Sequence, residues 1–248
     1  MRHIIITLIP VVIFSQSGLE IAKMINMRPS PKDMSNKTEM VLTNSKGKAR
    51  THKMISKSMD GNKKQIIWFM EPKDDRGIAF LKIEHDDKDD EMRMWLPAFK
   101  RVRRISSKKR GDSFMGSDLN YEDLSTRELD NNDYKRLDDA KWMDNDCYVL
   151  ETIPKKELRS SYGRHISWVD KNDMTIVREE SFNRRNQLEK EKSFSYEKIG
   201  KYQLIKRVHV KNLIEDHATE VIFSDMVIDT GISDNLFHEK SLRRLPVD

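Results

Sequence analysis

Three neighbouring stretches decide the fold: Gln65-Ile66-Ile67-Trp68-Phe69-Met70-Glu71, then Gly77-Ile78-Ala79-Phe80-Leu81-Lys82-Ile83-Glu84, then Glu91-Met92-Arg93-Met94-Trp95-Leu96. Each is short and rich in β-branched, aromatic or methionine side chains. Pro72 ends the first, and the acidic link His85 to Asp90 separates the other two. Runs of this length between turn formers read as strands joined by hairpins. Working outward, Asp60-Gly61-Asn62 and Asn44-Ser45-Lys46-Gly47 are turn signals. They bound extended runs over Thr38–Leu42 and from the Gly47 turn to about Met59. Downstream, further extended runs follow at Tyr134–Leu137, Cys147–Ile153, His165–Val169, Thr175–Ser181, Leu188–Tyr196, Leu204–Val210 and Ala218–Val227. Ile214 to His217 reads as a turn or a bulge. The pattern predicts about ten or more strands in a mainly β chain, one meandering antiparallel sheet that is curled or partly closed. Only Gly18–Met27 carries a helical apolar face, and Pro29 and Pro31 end it.

The composition agrees with a sheet that is wet on one face. Hydrophobic residues make up 37% of the 248 and charged residues 35%, too little apolar material for a parallel sheet covered on both faces. No linker interrupts residues 18–248, which read as a single domain. Residues 1–17 stand apart. Arg2 and His3 precede an apolar run from Ile4 to Phe14, and Ser15, Ser17 and Gly18 supply small residues after it. This is the anatomy of a secretory signal peptide, with an apolar run too short to span a bilayer. The expected destination is the periplasm. Cys147 is the single cysteine, so no disulfide can close within the chain, and none is placed to carry a lipid anchor. In Asp146-Cys147-Tyr148-Val149-Leu150 it reads as a small buried strand residue.

The net charge of +5 raises the question of nucleic acid, but the cations are dispersed among 41 acids and an exported chain meets no genome. Only Lys100–Arg104 and Lys108–Arg110 are densely basic. Such a patch suits a peripheral, transient contact with anionic headgroups and equally an ordinary solvated surface. The His85–Asp90 link lacks the central glycine and closing glutamate of a calcium loop. The seven histidines show no metal-ligand spacing, so no metal or other cofactor is expected. The nucleophile elbow, zincin, P-loop and C-x-x-C motifs are all missing, which argues against an enzyme.

In the first and third of these strands, bulky apolar groups occupy both faces or nearly so. Ile66, Trp68 and Met70 share one face of theirs, Ile67 and Phe69 the other; Met92, Met94 and Leu96 oppose Arg93 and Trp95. One face can pack under a covering element and the other can line a cavity, with methionine suited to chains of varied shape. By periodicity alone they simply fill a core.

The segment Met94-Trp95-Leu96-Pro97-Ala98-Phe99-Lys100-Arg101-Val102-Arg103-Arg104-Ile105, with Ser113-Phe114-Met115-Gly116-Ser117-Asp118-Leu119-Asn120-Tyr121-Glu122-Asp123-Leu124 after it, resembles the signature of the outer-membrane lipoprotein-sorting protein family, relatives of the carriers LolA and LolB. The order is specific, and the general layout agrees over about residues 18–245. The resemblance implies a curved, incomplete antiparallel β-barrel with a few short helices across its open mouth. It also implies an apolar cavity for acyl chains of lipids or lipoproteins, and an accessory role beside an RND-type membrane exporter. Arg93 departs from the aromatic residue expected in its place. On this reading Trp68, Met70, Phe80, Met92, Met94 and Leu96 are the cavity candidates. Arg101, Arg103 and Arg104 with Asp118, Glu122 and Asp123 are candidates for a charge-paired rim or partner surface. The alternative is a periplasmic sensor that recognises lipoproteins and contacts a membrane regulator. A lipid-active hydrolase is a third reading, disfavoured by the missing motifs.

Overall fold

The computed structural model describes residues 16–246. The apolar run of the expected signal peptide lies outside them. After helix α1 (Gly18–Asn26) come thirteen strands: β1 (Asp33–Thr43), β2 (Ala49–Met59), β3 (Lys64–Glu71), β4 (Ala79–Ile83), β5 (Glu91–Leu96), β6 (Arg101–Ile105), β7 (Asn132–Trp142), β8 (Asn145–Pro154), β9 (Tyr162–Asp170), β10 (Ile176–Asn183), β11 (Leu188–Ile199), β12 (Tyr202–Asn212) and β13 (His217–Ile228). They form one antiparallel sheet in the order β6-β5-β4-β3-β2-β1-β13-β12-β11-β10-β9-β8-β7. Two hairpin meanders are thus joined where β1 pairs with β13, with Met40 opposite Val221. Strands β6 and β7 are left as the edges.

The mainly β reading holds, with two local differences. Arg101–Ile105, read as a basic stretch, is an edge strand: Arg103 pairs with Met94 and Arg101 with Leu96. An edge strand needs one bonded side only, and charge on it discourages further pairing. The run at Tyr134–Leu137 extends to eleven residues with a bulge between Leu137 and Ala140.

The sheet must curl. Residues 106–131 join β6 to β7, and within them Leu124 O accepts from Lys82 Nζ on β4 while Asn120 Nδ2 donates to Tyr162 OH on β9. In a flat sheet β4 and β9 would be eight spacings of ~4.8 Å apart, about 38 Å. Five residues of chain reach at most about 18 Å, and the Lys82 and Tyr162 side chains stand roughly perpendicular to the sheet, so they add little along it. The connection therefore lies inside a curl, and the face it touches is the inner one. Phe114 and Tyr121 from the connection pack there on Phe69 and Phe80, with ring centroids 5.3 Å apart for Phe80–Phe114 and 5.8 Å for Phe80–Tyr121. Met40, Leu42, Val208, Val210 and Val221 complete this core. On the outer face, Ile66, Trp68, Ala79 and Leu81 are covered by Phe237 and Leu242 of the C-terminal tail.

Helix α1 is started by a capping box: Glu20 N donates to Ser17 Oγ at 3.3 Å and Ser17 N to Glu20 Oε2 at 2.7 Å. It buries Ile21 and Ala22 against Leu150 and Val169. A Cβ at Gly18 would stand 2.8 Å from the backbone of Lys135 and Arg136, so only glycine lets the helix begin against β7. Among the described residues no helix is long and apolar enough to cross a membrane.

Candidate functional site

Between the connection, α1, the β4–β5 link and the inner face of β8 to β13 lies a cavity of about 660 Å³, within the usual range of small-molecule sites. Its apolar side is built by alternate residues of the long strands, among them Phe194 of β11, Val208 of β12, and Val221 and Phe223 of β13. Ile105 of β6 and Leu124 of the connection join them.

Next to these apolar groups the lining is charged. Arg127, His165, Glu179 and Lys192 all line the cavity. Glu179 on β10 and Lys192 on β11 are direct cross-strand partners, with Lys192 Nζ 3.2 Å from Glu179 Oε1. Arg127 grips Glu179 in bidentate fashion, Nη1 to Oε2 at 2.5 Å and Nη2 to Oε1 at 2.8 Å. Ser167 Oγ adds a bond to Glu179 at 3.0 Å. Lys192 Nζ also donates to Asp123 Oδ1 at 2.6 Å, and Asp123 Oδ2 accepts from Asn120 N and Tyr162 OH. Behind it, Lys190 Nζ donates to Asn120 Oδ1 and Tyr162 OH.

Burial of these groups penalises charge, and mutual pairing restores it. Burial pushes the Asp123 carboxyl up, but Lys192 and Lys190 outweigh it and hold the pKa far below the usual carboxylate range. Burial likewise opposes ionisation of Glu179, yet Arg127 and Lys192 keep its pKa well down. The pKa of Lys192 is raised, since Asp123 and Glu179 overcome its desolvation. His165 goes the other way: burial first, then Arg127, lowers its pKa well below the normal value. Its Nδ1 faces Ser181 Oγ at 2.9 Å and Arg127 Nη2 at 3.3 Å. Arginine can only donate, so Nδ1 accepts and the ring proton sits on Nε2.

The six cavity candidates from the sequence do not share one face. Trp68 and Met70 lie on the outer face under the C-terminal tail, because Ile67, not Trp68, stands opposite Phe80. Phe80, Met94 and Leu96 belong to the inner core around the connection. Met92 alone of the six lines the cavity. The departure at Arg93 leaves that lining untouched, since Arg93 faces outward and pairs with Glu91 and Glu239.

The charge-paired rim needs correcting too. Asp118 is taken by His217 and Thr219, Glu122 by Ser160 and Ser161, and Asp123 by Lys192. Arg101, Arg103 and Arg104 are exposed on β6, and none has a carboxylate within 4 Å among the described residues. Closeness in sequence had suggested the pairing, but the connection turns its acids inward onto the sheet. Arg127, His165, Glu179, Lys190 and Lys192 were missed. Lys190 and Lys192 alternate with Glu189 and Glu191, so period two marks neither face of β11 as buried.

No curated protein matches the chain. A family model described only as "Uncharacterized protein" matches residues 61–244. An outer membrane lipoprotein-sorting protein domain from Vibrio parahaemolyticus is 33% identical, with a TM-score of 0.86 over 92% of this chain and 98% of its own. A DUF1329 family protein from Desulfovibrio piger is 29% identical, also with a TM-score of 0.86, over 91% of this chain and 97% of its own. A LolA superfamily protein from Nitrosomonas europaea shares the fold at 16% identity, with a TM-score of 0.73 over 92% of this chain and all of its own. The chain belongs to the family of the outer membrane lipoprotein-sorting protein domain.

Proposed function

We propose that this protein is a periplasmic carrier that holds an acyl chain of a lipid or lipoprotein in the inner cavity, and that it performs no catalysis. The observation that carries the reading is the cavity itself, about 660 Å³ with one apolar side, inside a sheet of the lipoprotein-sorting family. Each acyl methylene buried there contributes about 0.8 kcal/mol, so a chain of ordinary length binds without any polar contact. The carboxylates of Glu179 and Asp123 are tied to Arg127 and Lys192 in a hydrogen-bonded ion network, an arrangement for holding rather than for nucleophilic attack. Export through a signal peptide over residues 1–17 belongs to this reading.

The basic edge supports a transient membrane contact. Residues 100–112 hold seven cations against Asp112. The β8–β9 turn holds Lys155, Lys156 and Arg159 against Glu157, and its Ser161 abuts Gly111. Together these exceed the whole chain's net charge of +5. Phe99 stands beside Arg101 with most of its surface exposed. Delivery to an RND-type exporter is the downstream step in this proposal.

Mass spectrometry of lipid extracted from gently purified protein, with displacement of a fluorescent fatty-acyl probe, tests the carrier reading. An acyl lipid in the extract and saturable probe binding are expected. An empty protein that binds no probe would overturn it.

A further inference from the structure

Resting on the carrier reading, we infer that the cargo bears an anionic head, a carboxylate or a phosphate, that sits inside the cavity against Arg127 and His165. Burial of acyl chains alone calls for apolar walls; this cavity sets Phe194, Val208 and Phe223 beside a cluster of charges.

What the charged wall offers is donors. Its carboxylates are fully engaged. Glu179 accepts from Arg127 twice, from Lys192 and from Ser167; Asp123 accepts from Lys192, Asn120 and Tyr162; Glu122 accepts from Ser160 and Ser161. The donors are not used up. Arg127 spends Nη1 and Nη2 on Glu179 and His165, which leaves Nε and a second Nη1 hydrogen without an acceptor among the described residues. His165 accepts at Nδ1, and its Nε2–H has no acceptor there either.

Arg127 is enclosed by the network, yet 37% of its side-chain surface stays open while Glu179 beneath it keeps 3%. The open part belongs to a residue that lines the cavity. A head rich in acceptors completes these bonds, whereas a head that only donates finds no free acceptor on this network; the open carboxylate of the lining, Asp89, stands apart in the β4–β5 link. Glu179 fixes the guanidinium plane, so the arginine is held ready for an oxyanion.

Competition against a fluorescent acyl probe tests this with hexadecanoate, hexadecanol and a single-chain lysophosphatidate, all at low micellar risk and equal chain length. A charge-assisted contact contributes about 1.5–3 kcal/mol, so hexadecanoate or lysophosphatidate should compete at least about tenfold better than hexadecanol. Whichever of the two anions competes better tells carboxylate from phosphate. In Arg127→Gln, with the fold checked by circular dichroism, the preference for the anion over the alcohol should collapse. Arg127→Lys, which keeps the charge, should retain part of it. Equal competition by acid and alcohol in the parent, or an undiminished preference in folded Arg127→Gln, overturns the inference and leaves the carrier reading standing. Failure of all three amphiphiles to compete, in a parent that binds no probe, sinks the carrier reading and this inference with it.

Discussion

Lys192 Nζ on β11 lies 2.6 Å from Asp123 Oδ1 in the connection between β6 and β7, with both side chains at most 5% exposed. This pair fastens the segment that fills the curl to the far half of the sheet. Removing one partner leaves a buried charge uncompensated, which costs about 3–5 kcal/mol. Asp123→Ala should therefore lower the urea midpoint sharply, with both Lys190 and Lys192 left beside the vacancy. Combining Asp123→Leu with Lys192→Met should cost less than the sum of the single changes, since an apolar pair of similar volume replaces the ions. Additive losses in that double-mutant cycle would show that the two groups do not interact.

Stability should fall on acidification, in two stages. The folded-state pKa of His165 is depressed by burial and by Arg127, with Lys192 also facing it and Glu179 and Asp123 partly opposing. Below the ordinary histidine range the unfolded chain takes up a proton that the folded one refuses, so stability drops as pH falls through about 6.5. His52, buried beside Asp75 and Arg50, shifts the same way. The Asp123 and Glu179 pKa values are depressed as well. Their contribution is present above about 4 and is lost as pH falls below it toward their folded-state values. Melting temperatures from pH 8 to 3 check both stages. His165→Gln should flatten the upper one, leaving the His52 share.

Filling the cavity should block the cargo without unfolding the protein. Val208 lines it from β12, and Val208→Trp would send a large ring into the open space. Acyl-probe affinity should fall by tenfold or more while the far-ultraviolet circular dichroism is kept. By contrast, Trp68→Ala opens the outer core and should destabilise by about 3–5 kcal/mol. In the fraction that remains folded, the probe should bind as in the parent. Probe binding that survives Val208→Trp intact would move the site elsewhere.

The exposed arginines of β6 should matter for membranes and little for folding. Each basic residue near an anionic surface contributes about 1 kcal/mol. Changing Arg101, Arg103 and Arg104 together to Ser should thus weaken sedimentation with phosphatidylglycerol vesicles by roughly a hundredfold. The effect should fade as salt is raised, because exposed charges are screened. Neutral phosphatidylcholine vesicles binding as tightly as anionic ones would contradict an electrostatic contact.

Local chemistry was enough for much of this architecture. Glycine, asparagine and aspartate at the turns, with β-branched and aromatic residues between them, specify hairpins, and hairpins in unbroken succession specify an antiparallel meander. The motif from Met94 to Leu124 was legible as a family signature, and the Gly18 helix as an amphipathic turn of chain. Three things were decided only by tertiary structure. The register of β3 on β4 put Trp68 and Phe80 on opposite faces, and a shift of one residue exchanges faces without changing any local preference. The pairing of β1 with β13 joined the two meanders, and the curl of the joined sheet brought β4 and β9 to the two ends of one short segment. The buried ions Asp123, Glu179, Lys190 and Lys192 come from three separate parts of the chain. Each looks solvated where it stands in the sequence, because its compensating charge comes from another element: Glu179 and Lys192 meet across β10 and β11, and Asp123 reaches Lys192 from the connection that the curl encloses.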